Sequence, residues 1–431
     1  MTEHLDDILR HVRPLEPIEL QLLDAQGCVL IEDVTVPTAL PPFDNSSMDG
    51  YAVRAVDVAG ATEEYPAVLT VVGDIAAGSG QLPSVGPGEA ARIMTGAPVP
   101  PGTEAVVPVE WTDGGTGGGP ATGMAAAAHA PEGATGEVRV HRAAEPGAHI
   151  RRRGSDVSVG ELALTAGTIL GPTQIGLLAA IGRGTVRVRP RPRVVVLSTG
   201  SELVPPGEAL GPGRIYDSNS FALTSAARDA GAIAYRVGAV ADDAATLRST
   251  IEDQLIRADI VVTSGGVSVG AYDVVKEALS RFEGHEEDEE GDGGGTVGRV
   301  EFRKLAMQPG KPQGFGRIGR ERTPLLALPG NPVSSYVSFE LFVRPAIRSL
   351  MGLEPVERET VRATCPQGIG SSPKGKRQFL RGRYADGAVT PVGGAGSHLV
   401  KALALANSLI VLDEDTTSVE PGAEVTVVLL D

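Results

Sequence analysis

The chain has 431 residues, 42% of them hydrophobic and 4% aromatic, which predicts two to four domains with cores rich in alanine, valine and leucine. Its formal net charge of −16 argues against a nucleic-acid-binding surface. The chain has only two cysteines, which excludes a disulfide framework and a cysteine-based metal cluster.

The N-terminal sequence and the apolar runs bear on location. MTEHLDDILRHVRPL, at residues 1–15, has no apolar signal core. No apolar run approaches the roughly 18 residues that a membrane span needs. We therefore expect a cytoplasmic protein with neither a membrane nor a nucleic acid as partner.

The N-terminal part predicts a helix, an extended linker and a small β domain. The helix is indicated by apolar residues spaced along one helical face, at Leu5, Ile8, Leu9 and Val12. Residues 1–53 are expected to pack with a returning segment, 143–171. Short valine-rich strands cut by proline and glycine predict a small β domain over 54–142. Its low-complexity segment 113–136 is predicted to be a flexible hairpin loop.

From residue 172 onward, strands alternate with helices. This pattern is typical of a doubly wound parallel sheet, so the fold class predicted for the whole chain is multidomain α/β. After a buried helix at 173–181, the predicted elements are strand 193–198, helix 218–230, strand 233–239, helix 243–257, strand 259–263, helix 272–282, strand 300–306, strand 325–328 and helix 333–350. The acidic segment 283–298 is expected to be a solvated loop, because like charges repel. The sheet domain would span 172–352, and short strands over 353–431 predict a second small β domain.

Three strands of the sheet domain run straight into glycine turns. The turns lie in RVVVLSTGSE (193–202), DIVVTSGGVSVGAYD (259–273) and ALPGNP (327–332). A strand, a glycine turn and a helix N-terminus form an anion site in α/β proteins. Three such turns at one edge of a sheet indicate a phosphate-rich ligand. The turn residues predicted to bind it are Ser201, Ser264, Gly265, Gly266 and Ser268.

Charged residues accompany these turns. The acids at the predicted strand ends and helix starts include Glu202, Asp242 and Asp273. Together they are suited to hold Mg²⁺, although any single one is equally well explained as a helix cap. Lys304 and Lys311 flank QPG and are predicted to neutralise phosphate or another oxyanion. Pro329 and Pro332 fix a rigid turn into the last helix of the domain.

Other catalytic motifs are disfavoured. Ser268 in GVSVG matches the G-x-S-x-G nucleophile elbow, but two extra glycines separate it from the strand. Only His285 and His398 lie downstream as a base, so a serine nucleophile is disfavoured. The chain has no P-loop, no G-x-G-x-x-G opening a βαβ unit and no H-E-x-x-H.

Eight motifs, in a fixed order, carry a family resemblance. They are PPFDNSSMDGYAV, RIMTGAPVPPGTEAVV, IRRRGSDV, STGSEL, IYDSN, TSGGVSVGAYD, KLAMQPGKP and LPGNPVS. The set closely resembles the molybdopterin molybdenumtransferases, or molybdenum insertases, a family that includes the C-terminal domain of gephyrin. The resemblance covers nearly the whole chain.

The resemblance implies the last step of molybdenum cofactor biosynthesis. In that step molybdate is inserted into adenylylated molybdopterin with release of AMP, and Mg²⁺ is required. It also implies an elongated homodimer whose cleft lies between the sheet domain of one subunit and the MDG/MTGAP domain of the other. The implied partners are the molybdopterin adenylyltransferase and the molybdoenzymes, or their chaperones, that accept the cofactor.

The resemblance also implies roles for single residues. The implied catalytic residues are Asp49, Thr95, Asp156, Glu202, Asp242 and Asp273, and three of these, Glu202, Asp242 and Asp273, would bind the metal. The residues implied to contact substrate are Lys304, Pro329, Pro332, Arg381 and Ser397. Of these, Lys304, Arg381 and Ser397 would hold molybdate. Two positions depart from the pattern. Gln308 replaces a lysine that some relatives have, and Ser201 replaces an aspartate that some relatives have. Either change would weaken an anion or metal site.

Two other functions stay open. A molybdopterin adenylyltransferase would share the fold of the sheet domain, although the surrounding β domains and the MDG motif favour the insertase. A non-catalytic scaffold of the gephyrin type would not need acids and lysines gathered at the strand ends. Molybdate-dependent release of AMP would distinguish the insertase from both.

Overall fold

The computed structural model describes residues 1–124, 136–241, 243–266, 275, 278 and 299–430. The strands are β1 Ile18–Gln21, β2 Val29–Leu30, β3 Val34–Thr35, β4 Asn45–Ser46, β5 Gly50–Val53, β6 Ala67–Ile75, β7 Glu89–Ile93, β8 Ala105–Pro108, β9 Gly136–Val140, β10 Ile150–Arg151, β11 Leu162–Leu164, β12 Thr185–Arg189, β13 Arg193–Thr199, β14 Leu203–Val204, β15 Ile215–Tyr216, β16 Ile233–Val240, β17 Ile260–Ser264, β18 Arg299–Lys304, β19 Met307–Gln308, β20 Pro312–Ile318, β21 Thr323–Leu328, β22 Thr360–Cys365, β23 Arg377–Ala385, β24 Ala388–Pro391, β25 Ser408–Leu412 and β26 Ala423–Leu429. The α-helices are Thr2–His11, Pro172–Ala180, Asn219–Asp229, Ala244–Leu255, Pro332–Ser338, Arg344–Leu350 and Val400–Ala404.

The N-terminal part crosses between domains. The helix Thr2–His11 is present as predicted, and its Ile8 belongs to the core of the sheet domain. The strands β3 and β4 then pair antiparallel with β11 and β10, so the segment before the small β domain lies beside the segment that follows it. A three-stranded sheet of β1, β12 and β2 connects this region to the start of the sheet domain.

The small β domain is a five-stranded sheet in the order β8-β5-β7-β6-β9. It begins at Gly50, inside the MDG motif. Glycine is required there because a Cβ atom would lie 2.0 Å from the carbonyl oxygen of Val107 on the neighbouring strand. The close approach of β5 and β8 therefore fixes the position of Asp49 at the start of the strand.

The sheet domain confirms the predicted α/β class and corrects one detail. The strand order is β16-β13-β17-β21-β20-β18, and the first four strands are parallel. The strand β20 runs antiparallel to both of its neighbours, β21 and β18, so the sheet is mixed rather than wholly parallel. The strand β20 was not predicted, because its sequence PQGFGRI resembles a loop. Gly314 is tolerated there because the ring of Phe302 packs where a side chain would stand.

Two predicted helices of this domain differ in the structure. In the segment 173–181, which was predicted to be a buried helix, only Leu178 and Ile181 are buried, so one face packs on a core and the other is exposed. The helix predicted at 333–350 is interrupted by a π-helical turn at Phe339–Val343. The predicted helix 272–282 lies outside the described residues except for Val275 and Ala278, which are helical and buried. The acidic loop 283–298 and most of the loop 113–136 also lie outside them.

The π-helical turn carries a buried ion-pair network. Glu340 accepts hydrogen bonds from Nε and Nη2 of Arg358 at 2.9 and 3.4 Å, and Nε of Arg344 lies 3.9 Å away. Arg344 and Arg348 also donate to the carbonyls of Val356 and Pro355. The network therefore fastens the chain that leads from the sheet domain into the C-terminal domain.

The C-terminal domain is a β-barrel. Its strands run in the order β23-β24-β22-β26-β25, and pairing of β25 with β23 closes the barrel. The two-residue strand β19 of the sheet domain adds to β23, with Met307 opposite Arg377 and Gln308 opposite Gln378. In the described part of the chain, no helix is long and apolar enough to cross a membrane.

Candidate functional site

A cavity of about 1010 Å³ lies at the carboxyl ends of β13, β17 and β21. Its floor is formed by the turns that follow these strands, and one wall is formed by residues 307–312. The barrel extends this wall through Lys376 and the loop 395–398, since β19 pairs with β23. The cavity therefore lies between the sheet domain and the barrel, at the edge of the sheet where α/β proteins bind ligands.

The glycine turns of the floor pack against one another. Gly265 has φ +102°, and a Cβ atom there would lie 2.5 Å from the carbonyl oxygen of Thr199 in the neighbouring turn. A Cβ atom on Gly330 would lie 3.4 Å from the Cα atom of Gly265. The structure thus brings five predicted residues to one floor: Ser264, Gly265, Gly266, Pro329 and Pro332.

Asn219 joins two of these turns. Its Nδ2 atom donates to Oγ of Ser264 at 2.9 Å and to the carbonyl of Gly330 at 2.7 Å. The hydroxyls of Ser264 and Ser335 lie 3.1 Å apart. Asn219 stands at the start of one helix and Ser335 in the first turn of another, so two helix N-termini border the cavity.

Asp217 is a buried carboxylate in the floor. It accepts from Oγ of Ser198 at 2.9 Å, from the amide of Ser220 at 3.1 Å and from the Ser220 hydroxyl, and Nη1 of Arg236 lies 3.9 Å away. Both carboxylate oxygens are hydrogen-bonded, and the contacts with Ser220 hold the start of the helix that carries Asn219. Neither Asp217 nor Asn219 was predicted as a site residue, although both lie in the IYDSN motif.

The cations of the cavity differ from those predicted. Lys311 borders the cavity as predicted, and Lys376, which was not predicted, lies on the barrel wall. Lys304 is exposed at the end of β18 and does not border the cavity. Arg381 is only 1% exposed and lies behind the wall rather than on it. The signal for Lys376 was the basic sequence KGKR at 374–377, where β23 begins.

The barrel loop that ends in Ser397 is tied down at two points. The carbonyl of Ser397 accepts the amide of Val333 at 3.0 Å, which joins the loop to the first turn of a sheet-domain helix. Nη2 of Arg381 donates to the carbonyl of Gly394. Burial lowers the pKa of Arg381. Ser397 and His398 border the cavity beside Lys376.

Of the predicted metal ligands, the structure describes Glu202 alone. Its carboxylate is exposed and borders the cavity. It also lies close to Gly200, because a Cβ atom built on Gly200 would be 2.6 Å from Oε2 of Glu202. Asp242, Asp273 and Ser268 lie outside the described residues. Within the described ranges, no three His, Cys, Asp or Glu side chains gather as a metal site. Ser201 is exposed and does not border the cavity.

The remaining predicted acids belong to the MDG region and do not border the cavity. Oδ1 of Asp49 accepts from the amide of Thr95 at 2.6 Å and from its hydroxyl at 2.8 Å, and both residues are exposed. Asp156 is exposed too, and its amide donates to the carbonyl of Leu40 at 3.0 Å. The nearby Asp44 accepts from the amide of Arg153 and the guanidinium of Arg152, and these contacts lower the pKa of Asp44.

Comparisons with known proteins cover nearly the whole chain. Family models match the MoeA N-terminal region (domains I and II) at residues 1–182, a probable molybdopterin binding domain at 195–349 and the MoeA C-terminal region (domain IV) at 370–430. Molybdopterin molybdenumtransferase 2 of Mycobacterium tuberculosis (strain ATCC 25618 / H37Rv) is 45% identical over 427 residues, covering 99% of this chain and 98% of that protein. Molybdopterin molybdenumtransferase 1 of the same strain is 39% identical, covering 96% and 95%.

A solved structure agrees with these relatives. The crystal structure of a molybdopterin biosynthesis MoeA protein from Pyrococcus horikosii is 31% identical, with a TM-score of 0.71 over 100% of this chain and 98% of its own. Sequence, domain order and fold therefore agree, and the chain belongs to the molybdopterin molybdenumtransferases, the transferase family of molybdenum cofactor biosynthesis that its motifs predicted.

Proposed function

We propose that this protein inserts molybdate into adenylylated molybdopterin, in a Mg²⁺-dependent reaction that releases AMP. The observation that carries the proposal is the cavity between the sheet domain and the barrel. One side of it offers glycine turns and two helix N-termini, which suit phosphate groups. The other side offers Lys311, Lys376 and Ser397, which suit an oxyanion.

The size of the cavity supports a large ligand. Ligand pockets span roughly 300–1000 Å³, and at about 1010 Å³ this cavity is at the upper end of that range. A pterin joined to a nucleotide through a diphosphate is a ligand of that kind. We infer that the diphosphate lies on the floor near Gly265 and Gly330, and that molybdate lies toward the barrel wall.

We propose that Glu202 holds Mg²⁺ together with Asp242 and Asp273. An exposed carboxylate beside a phosphate site fits this cation, because Mg²⁺ usually takes one or two carboxylates along with phosphate oxygens and water. When bound, the ion would neutralise charge on the phosphoanhydride as AMP leaves. Lys311 would add positive charge from the adjoining wall. Asn219 and Asp217 would hold the turns in the geometry that receives the phosphates.

We also propose a homodimer in which the MDG region of one subunit completes the cavity of the other. Asp49, Thr95 and Asp156 are exposed and lie away from the cavity of their own chain. The contact of Asp49 with Thr95 holds the carboxylate in one orientation, as a catalytic acid needs. The adenylyltransferase that supplies the substrate and the molybdoenzymes or chaperones that receive the product would be its partners.

The reaction is tested by AMP release from adenylylated molybdopterin with and without molybdate and Mg²⁺. Glu202→Gln should lower the rate by roughly a hundredfold, as expected for loss of a preorganised electrostatic contact. Glu208→Gln is the matched control, because Glu208 is an exposed acid of the same segment that does not border the cavity. Formation of adenylylated molybdopterin from ATP would favour the adenylyltransferase, and absence of both reactions would favour a scaffold.

The shared cleft is tested by complementation. Asp49→Ala and Glu202→Ala should each be inactive alone. Co-expressed, they should recover about a quarter of the wild-type activity, because half of the dimers are mixed and each mixed dimer has one intact site. No recovery would mean that each subunit works with its own Asp49.

A further inference from the structure

A second cavity, of about 630 Å³, lies at the other edge of the parallel strands. Arg191 precedes β13 and the turn 230–231 precedes β16, so this amino-end cavity is roughly 20 Å from the turns at the carboxyl ends of the same strands. The loop 23–27 also borders it, as do Met351 and Leu353. It shares no lining residue with the candidate functional site and is therefore separate from it.

Three arginines border the amino-end cavity without a carboxylate partner. Each donates to main-chain carbonyls, from Nε and Nη2 of Arg191 at 2.8 Å each, from Nη2 of Arg228 at 3.2 Å and from Nε of Arg348 at 3.0 Å. Among the described residues, no Asp or Glu forms an ion pair with any of the three, and no group accepts a hydrogen bond from their Nη1 atoms. These contacts orient the guanidinium groups and leave N–H donors for a ligand.

Helix capping does not account for these arginines. The helices Asn219–Asp229 and Arg344–Leu350 both end at the cavity, and cations often bind the last carbonyls of a helix. Here the backbone closes both ends, because amides 230–232 donate to carbonyls 226–228 and amides 351–353 to carbonyls 347–349. The carbonyls that the arginines use lie outside both helices. The positive charge is therefore more than the helix ends require.

The distribution of charge favours an anion in the deeper part of the cavity. Arg191 and Arg348 are half-buried, whereas the two acids of the lining, Asp24 and Asp229, are exposed. Burial, and next Arg358, lower the pKa of Arg348, so its surroundings disfavour the charged guanidinium. An anion beside the half-buried arginines would compensate this charge, while water screens the exposed acids.

Four apolar side chains complete the lining. Leu23 and Ile169 are 81% and 46% exposed, and Met351 and Leu353 are buried. Exposed apolar side chains beside a cavity gain free energy when an apolar group covers them. A volume of about 630 Å³ lies within the range of roughly 300–1000 Å³ that is typical of small-molecule sites. The lining thus suits a molecule that joins an anionic group to an apolar body.

We infer that the amino-end cavity binds a small amphipathic organic anion. Its phosphate or carboxylate group would contact the three arginines, and its apolar body would cover Leu23 and Ile169. Both anionic groups fit, because the planar guanidinium binds either one through two parallel hydrogen bonds. The inference goes beyond the proposed function, since the site lies apart from the cavity assigned to catalysis.

The first test is hydrogen–deuterium exchange of the full-length protein with phenyl phosphate or benzoate as the probe and benzyl alcohol as the neutral control. A ligand of this size binds with a dissociation constant of a few millimolar, so about 10 mM of a probe should slow local exchange about threefold to tenfold. The slowed amides should be 230–232 and 351–353, which are all hydrogen-bonded at the helix ends.

The pattern of protection decides the outcome. Protection by phenyl phosphate alone would support a phosphate ester as the ligand, and protection by benzoate alone a carboxylate. Equal protection by benzyl alcohol would mean that the cavity selects no anion and would overturn the inference. So would protection confined to the amide of Gly265, which donates to the carbonyl of Leu328 in the floor of the candidate functional site, or no protection at all.

The second test takes the affinity of the effective probe from the concentration dependence of this protection. Arg228→Met removes an exposed guanidinium that has one hydrogen bond, and it should weaken binding about tenfold or more. Arg257→Met is the matched control, because Arg257 is exposed and borders neither cavity. Its affinity should equal that of the wild type.

Asp229→Asn provides a change of the opposite sign. It removes an exposed acid from the lining and should strengthen binding about twofold to fivefold, whereas Asp253→Asn, away from both cavities, should not. A loss of structure does not strengthen binding, so Asp229→Asn decides the question should Arg228→Met not fold. Equal affinity in the wild type, Arg228→Met and Asp229→Asn would overturn the inference, whatever the protein does with molybdate.

Discussion

Glu340 offers a direct test of how the two domains that form the cavity are held together. Its side chain is 2% exposed and accepts from Arg358 at 2.9 Å, and Arg344 lies 3.9 Å away on the other side. Burial and the nearby Arg358 lower the pKa of Arg344 to about 10. Burial and Glu340 raise the pKa of the Tyr336 phenol. One buried carboxylate therefore compensates two cations that are only 12% and 18% exposed.

Glu340→Gln keeps the shape and removes the charge. Breaking a buried ion pair by removing one partner costs roughly 3–5 kcal/mol, because the remaining charges stay buried. The matched control is Glu424→Gln on the barrel surface. Its pair with Arg362 spans 3.7 Å between side chains that are 65% and 59% exposed, and such pairs contribute about 0–1 kcal/mol.

Calorimetry of the full-length protein measures the difference. For a cooperative unit of about 150–250 residues, 1 kcal/mol corresponds to about 2–4 °C, so Glu340→Gln should lower the melting temperature of the unit that contains it by roughly 6–20 °C. Glu424→Gln should lower it by less than about 4 °C. Exchange of the amides at 353–358 should rise in the first variant alone, since Arg344 and Arg348 hold the carbonyls of that segment. Equal effects of the two variants on the melting temperature would refute the view that Glu340 holds the segment 353–358.

Three further predictions concern pH and the oxyanion. Burial, and next Arg303, lower the pKa of His4 from 6.5 to about 4, so the fold holds a neutral imidazole. The folded-state pKa lies below the unfolded value, so protonation favours the unfolded chain as the pH falls. Between pH 6.5 and pH 4.5 the free energy of unfolding should therefore fall by about 2–3 kcal/mol more in the wild type than in His4→Leu. An identical pH dependence of the free energy of unfolding in both proteins would contradict this. Lys376→Met should raise the molybdate concentration for half-maximal AMP release about tenfold or more, because Lys376 borders the cavity. Lys304→Met is the control and should change that concentration less than about twofold, because Lys304 does not border the cavity. Gln308→Lys adds a cation to the same wall and should lower that concentration, so a flat molybdate dependence would place the oxyanion elsewhere.

The convergence of the floor residues followed from the sequence because parallel strands end at one edge. Buried strands followed by glycines therefore predicted that Ser264, Gly265 and Pro329 would meet. Asp217 and Asn219 were harder to find, because they lie between a short strand and a helix, where no periodicity indicates which side chain turns inward.

Arg381 shows why residue type alone misplaces a site. Residues 378–382 of β23 are all buried, because one face of the strand fills the barrel and the other packs on the sheet domain. The alternation of buried and exposed residues that usually distinguishes the two faces of a strand is therefore absent here. It gave no sign that Arg381 lies behind the cavity wall. Lys376, one residue before the strand, is half-buried at its open end and borders the cavity. The difference depends on how two domains dock, which local sequence does not encode.

The short strand β19 constrains how ligands reach the cavity. Gln308 borders the cavity, and its backbone is also part of the ladder with β23. A hinge motion that swung the barrel away from the sheet domain would have to separate these main-chain hydrogen bonds and the Ser397–Val333 contact together. Substrate entry by that motion would therefore cost main-chain hydrogen bonds between the two domains. The strands β14 and β15 also border the cavity, so entry on their side would leave the β19–β23 pairing and the Ser397–Val333 contact intact.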